Sequence, residues 1–171
     1  MKTIQEALNY KLIEAIFLDK IDLVEMLLDA GADANAKTEH GTPALFLSAT
    51  EGKCEILKLF ISRGADLNAT NKRGETALEC LIEEFGFIGP AMNKQSERDW
   101  IVWQEARQLA SELLLSAGAD VDVKDGSGLS LEDKAEMSGK QLIQAYRQRK
   151  ALSAGVQPRV NNTTSSKGSQ M

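Results

Sequence analysis

Apolar and polar residues alternate along this chain in helical blocks that repeat. The clearest block is residues 41–69, GTPALFLSATEGKCEILKLFISRGADLNA. Leu45, Phe46, Leu47 and Ala49 fill the stretch between Gly41 and Gly52, and Ile56, Leu57, Leu59, Phe60 and Ile61 crowd residues 55–62. Both runs read as short helices. Gly64-Ala65-Asp66 ends the second, because glycine accepts the left-handed backbone that closes a helix. Two short antiparallel helices joined by a tight turn cannot bury their apolar faces alone, so they require stacked neighbours.

The neighbours lie in the same chain. Gly31-Ala32-Asp33 recurs as Gly64-Ala65-Asp66 and Gly118-Ala119-Asp120, first after 33 residues and then after 54, which leaves room for an insertion of 21. A matching apolar run precedes each copy, and a glycine (Gly41, Gly74, Gly128) follows ten residues beyond the glycine of the phrase. This period and phrase resemble the ankyrin repeat over roughly residues 5–145. The resemblance implies an all-α solenoid of about four helix-turn-helix units (5–36, 37–69, 70–123 and 124–149), with the 21-residue insertion in the third. Residues 1–150 then form the repeat domain and 151–171 a polar, basic tail, expected to be disordered for want of apolar content.

Unit by unit, the pattern makes local forecasts. The first unit opens directly on a helix carrying Ala7, Leu8, Leu12, Ile13, Ala15 and Ile16, turns at Asp19-Lys20, and resumes near 22–29 with Asp22 as N-cap. As a terminal unit facing water it is expected to be more polar than the rest. In the second, Thr42 is expected to cap and Pro43 to take the first helical position, one residue early against the family phrase Thr-Pro-Leu-His. Strict spacing puts Phe46 where the family has its histidine. The third opens Gly74-Glu75-Thr76-Ala77-Leu78-Glu79, again without that histidine, and breaks at Gly86, Gly89 and Pro90. Residues 85–99 read as a loop, Ser96-Glu97-Arg98-Asp99 as a capping box, and 97–116 as a helix of twice the usual length whose first two turns project. In the fourth, Ser130 caps a helix up to Ala135, and Met137, Leu142, Ile143, Ala145 and Tyr146 supply the last apolar face. Leu59 and Leu114 are expected in the core.

Composition narrows the function. The chain has 171 residues and a net charge of −5, but its last 25 residues carry five Lys/Arg and no acid, so the remaining 146 hold a net −10. No run of eighteen apolar residues occurs, which leaves no candidate membrane helix, and Glu6 and Glu14 interrupt what a signal peptide would keep apolar. Cys54 and Cys80 fall on predicted helices and read as free thiols, placing the chain in the cytoplasm. Asp120–Gly126 fails as a calcium loop because Lys124 stands where an oxygen ligand belongs. Gly139-Lys140 lacks the companions of a phosphate loop, and His40 is the lone histidine. No catalytic constellation, metal set or cofactor motif assembles, so an enzyme is not expected.

Binding remains. The resemblance implies recognition of another protein on a concave surface made by the turn tips and the exposed faces of the first helices. Carried onto this chain, that surface comprises Glu39, His40, Thr42, Thr50 and Glu51 from the second unit and Lys72, Arg73, Glu75, Glu83 and Glu84 from the third. Trp100 and Trp103, on the long helix of a chain poor in aromatics, are candidate interface anchors, unless the insertion folds back over them. The expected partner is a protein, with neither nucleic acid nor membrane involved, and the chain alone is expected to be monomeric. Two roles fit: a stand-alone adaptor or inhibitor, such as the neutralising partner of a toxin, or an effector delivered into another cell.

Overall fold

Among the described residues the apolar runs become eight helices in antiparallel pairs: α1 (Ile4–Phe17) with α2 (Ile21–Asp29), α3 (Ala44–Thr50) with α4 (Cys54–Ser62), α5 (Ala77–Glu83) with α6 (Lys94–Ala117), and α7 (Leu131–Lys134) with α8 (Met137–Ser153). The structure is a computed structural model that describes residues 3–83, 94–124, 128–135 and 137–153, the side chains of 83, 94–100, 137, 138 and 153 apart. First helices stack in one row, α1 on α3 on α5 on α7, and second helices in another, α2 on α4 on α6. Among the described residues there is no strand, only the isolated bridges Lys37↔Pro43, Thr70↔Thr76 and Lys124↔Ser130. They fall at the same 33- and 54-residue offsets as the glycine phrase, and each closes a hairpin finger just before a first helix. The fold is an all-α solenoid of stacked helix pairs, the architecture the resemblance implies.

Equivalent positions bury together. Leu12, Leu45 and Leu78 form one column of the core, and Val24, Leu57 and Ser111 another, each residue at most 2% exposed. A fully buried leucine contributes about 1.5–3 kcal/mol. Gly31, Gly64 and Gly118 have φ of +94°, +73° and +98°, which is why glycine opens all three phrases.

Side chains tie the units to one another. Asn9 Oδ1 accepts the amide of Asp33 (2.9 Å), Asn35 Oδ1 that of Asp66 (2.8 Å) and Asn68 Oδ1 that of Asp120 (2.9 Å). Asp122, in phase with Asn35 and Asn68, receives Arg147 Nη2 of α8 instead (2.6 Å). A second ladder caps the first helices. Lys53 Nζ donates to the carbonyls of Ile16 (2.6 Å) and Phe17 (3.1 Å), and Arg107, in the same phase, donates to Cys80 O (2.8 Å). Cations suit the negative C-terminal ends of helices.

Several local expectations are corrected. Asp22 lies inside the first turn of α2, whose N-cap is Lys20 without a side-chain bond; Asp19, at φ 53°, has already reversed the chain. Pro43 is the N-cap of α3 rather than its first residue, held extended (φ −63°, ψ 149°) by its bridge to Lys37. The three first helices therefore start in strict register at Ala44, Ala77 and Leu131. Helix α6 begins at Lys94, so Ser96 lies within the helix and not at its N-cap, while residues 84–93 of the expected loop lie outside the described residues. Leu114 is buried, but Leu59 is only partly so, because Ile56, Leu57 and Phe60 hold the inner side of α4. In α7 Leu131 is buried, and Glu132, where the family has leucine, pairs with Arg147. Helix α8 runs past residue 150 to Ser153, and the expected tail beyond it lies outside the described residues. The first unit is not the polar cap expected: Ile4, Tyr10, Phe17, Leu18, Ile21, Leu23 and Met26 are all exposed.

Candidate protein-binding surface

The hairpin fingers position most of the residues singled out from sequence. In the first finger the Thr38 amide donates to Thr42 O (2.9 Å) and the Thr42 amide to Thr38 Oγ1 (3.1 Å), so Thr42 is engaged in holding the turn. Glu39 and His40 stand exposed at its tip. In the second finger Asn71 plays the organising part: its Oδ1 accepts the amides of Arg73 (2.8 Å) and Glu75 (3.2 Å), and its Nδ2 donates to Glu75 Oε2 (2.8 Å). Glu75 also pairs with Arg73 Nε (2.9 Å) and is only 19% exposed, so it braces the finger. Lys72 and Arg73 are exposed, and the Lys72 stem runs close beside Gly41, which sets the two tips side by side. Glu39, His40, Lys72 and Arg73 thus form one mixed-charge edge.

The other predicted residues lie at the far ends of the first helices. Thr50 closes α3, its hydroxyl bonded to Phe46 O (2.9 Å), and Glu51 follows it, exposed. Glu83 ends α5 and Trp100 lies in α6, but their side chains, and all of Glu84, lie outside the described residues. Helix α4 starts at Cys54; the 54-residue offset puts its counterpart at Gln108, so α6 begins 14 residues early, about 21 Å of extra helix. Ala106 sits against Gly52 and its carbonyl accepts the Cys54 thiol at 3.4 Å, so α6 runs on straight where the second unit turns. The extension therefore starts beside the α3–α4 turn, at the helix ends opposite the fingers. Trp103 is 38% exposed and carries on one face the guanidinium of Arg107, 4.4 Å from the ring centroid. That guanidinium is buried and bonded to α5, so one face of Trp103 is engaged in packing.

Between the fingers and α1 lies a groove of about 690 Å3 that the sequence reading missed. Tyr10, Ile13 and Phe17 form its apolar wall, with Glu6 and Asn9 above them and residues 37–40 of the first finger opposite. Tyr10 and Phe17 are 54% and 56% exposed. Their spacing along one helix was visible in the sequence, but an amphipathic helix gives the same signal for a core-facing stripe. Periodicity alone does not say which face is covered.

Where the family carries its histidine, this chain uses other chemistry. Phe46 is 8% exposed and packs into the core. Glu79, 1% exposed, accepts the Thr76 amide at 2.6 Å in a capping box, with Lys134 Nζ 3.7 Å from its other oxygen. Asp133 repeats the box with Ser130, whose hydroxyl and amide hold its carboxyl below the usual range. Burial pushes the Cys54 thiol up, away from the thiolate a nucleophile needs. Among the described residues no group of His, Cys, Asp and Glu could hold a metal ion, and no helix is long and apolar enough to cross a membrane.

A family model for ankyrin repeats in three copies matches residues 12–88. Residues 12–88 carry ankyrin repeats. The hairpin bridge at Lys124↔Ser130 and the turn at Gly118 extend the ankyrin-repeat geometry past the matched residues. No curated protein matches the chain. Ankyrin repeats are generally protein-interaction modules and typically non-enzymatic scaffolds.

Proposed function

We propose that this ankyrin-repeat chain binds a partner protein along its first helices, with the apolar groove between α1 and the first finger as anchor and the tips as selectors. The observation that carries this reading is the groove itself: two exposed aromatic side chains, Tyr10 and Phe17, flank half-buried Ile13 beside a finger held in shape by its own hydrogen bonds. Aromatic side chains in a concave setting supply contact area at low entropic cost, and mixed charges around them set orientation more than affinity. Glu39, His40, Lys72 and Arg73 are the selecting groups in this reading, while Thr42 and Glu75 hold the fingers in shape. Thr50, Glu51 and Glu83, with Trp100 and the open face of Trp103, serve a partner long enough to cross to the opposite edge. Cys54 and Cys80, neither of them in a disulfide, suit the cytoplasm as the working compartment.

The test is site-specific photocrosslinking in extract of the source cell, with the reactive residue at position 10, in the groove, or at position 148, on the polar side of α8. A protein captured from position 10 but not 148, and lost when Phe17→Ala is added, supports the groove. Phe17→Ala is expected to weaken that complex by about 2 kcal/mol or more while the thermal midpoint barely moves. Capture from both positions, or from neither, refutes it.

A further inference from the structure

The repeat offers an internal standard for what each position should be covered by. On the second helices, Ile56 and Phe60 of α4 face the preceding unit and are 1% and 0% exposed; Ala110 and Leu114, 54 residues later, are both 0%. The same two positions in the first unit are Leu23 and Leu27. Leu23 is 41% exposed, Leu27 is half-buried, and Met26 beside them is 66% exposed. Thus α2 keeps the apolar residues of a stacking face that none of the described residues covers.

The opposite end behaves differently. The positions that face the following unit are Val24 and Leu28 in α2, Leu57 and Ile61 in α4, and Ser111 and Leu115 in α6. In α8 they become Gln144 and Gln148, both exposed beside Lys140 and Gln141. The C-terminal end is sealed by polar side chains, so stacking of one molecule's head on another's tail would bury those amides against leucine and methionine.

We propose that the N-terminal end of the stack is a self-association surface, covered by the same end of a second copy of this chain across a two-fold axis. An isologous contact needs a patch complementary to itself. The stripe Leu23, Met26, Leu27 meets that condition through apolar contact. The neighbouring α1 meets it through charge: Lys11 occupies the phase of buried Ala44, three residues from Glu14, to which it pairs at 2.6 Å within one molecule. One cation and one anion on the patch can exchange partners across the axis. The groove proposed for the partner protein lies on an adjoining side of α1, so a pair would present two grooves and bind a bivalent target more tightly than either copy alone.

Sedimentation velocity over a concentration series tests this on the full chain. The wild type is expected to pass from monomer to dimer and to go no further. Met26→Glu should weaken the dimer roughly a hundredfold or more, since two like charges would face each other across the axis. Lys11→Glu and Glu14→Lys should each weaken it as well, and mixing those two variants should restore a heterodimer. A wild type that stays monomeric at its highest soluble concentration overturns the proposal. So does a mass that grows past the dimer, or a dimer indifferent to Met26→Glu. Circular dichroism confirms that each variant is folded; Lys11 and Glu14 are exposed, so their variants keep the test valid even if Met26→Glu misfolds.

Discussion

The two ends of this solenoid solve the same problem in opposite ways. At the C-terminal end the forward-facing positions of α8 are glutamines, and Arg147, which takes the phase of buried Leu114, turns outward to bond Glu132 and Asp122. At the N-terminal end only α1 has made the polar exchange, through Lys11 and Glu14, while α2 keeps its leucines and Met26 in the open. Sealing a stack therefore takes substitution on both helices of the end unit, and the first unit has made it on one. Leu23 and Met26 stand out as a stripe in phase with buried or partly buried positions of later units, in contrast with the scattered apolar exposure that any surface shows.

The comparison can be broken or sharpened by experiment. If both ends belong to one cooperative body, a cavity in its interior must unfold them together. Leu114→Ala is expected to cost about 2–5 kcal/mol, with tryptophan fluorescence and far-ultraviolet dichroism losing signal at one denaturant concentration. Separate transitions would show the ends to be independent. Leu59→Ala should cost less than Leu114→Ala, as Leu59 is only partly buried.

A smaller effect probes how the units are tied. Asn68→Ala removes the acceptor for the Asp120 amide and should cost about 1 kcal/mol, raising hydrogen exchange at Asp120 above that at Asp66. Asn9→Ala at the other end should raise exchange at Asp33, and it also removes the acceptor of Gln5 Nε2.

Smaller again is the electrostatic seal. The Arg147 side chain is 41% exposed, so Arg147→Ala should cost only about 0.5–1 kcal/mol, and less in high salt. Removing everything after Ser153 is expected to leave the thermal midpoint within error, since among the described residues the last fully buried apolar side chain is Ile143.

The smallest effect is a pH dependence. The folded state holds the Asp133 carboxyl below its ordinary range through Ser130, so its contribution is complete above that range and is lost as pH falls through the lowered value. Asp133→Asn should differ from wild type at neutral pH, and the difference should vanish in acid. A difference that grew in acid would refute the assignment.

What the sequence made legible was whatever the period repeats. The glycine phrase placed three helix ends, and the apolar runs placed the helices, because burial forces equivalent positions to be alike. Exceptions to the period were misjudged for the same reason. Pro43 was shifted by one residue because Thr42-Pro43 is a good local helix start; the bridge to Lys37, a contact outside the local window, overrides it. Ser96 looked like a cap because its neighbours fit one, while the helix continues through it. The two ladders were available in principle, as asparagine recurs at 35 and 68 and a cation at 20, 53 and 107, but polar recurrence carries no sign of its partner. The groove beside Tyr10 and Phe17 was not legible, since it depends on which side of α1 the second unit leaves bare.

The asparagine ladder also bears on how such a chain can grow. The tie from Asn35 to Asp66 closes 31 residues, and the tie from Asn68 to Asp120 closes 52. Loop-closure entropy rises only with the logarithm of length, so the longer circuit costs roughly 0.5 kcal/mol more. That is within what a single net hydrogen bond returns. The joint between α5 and α6 is consequently a port: sequence can be added there at almost no thermodynamic charge, because both its ends are already pinned by neighbours that do not depend on its length.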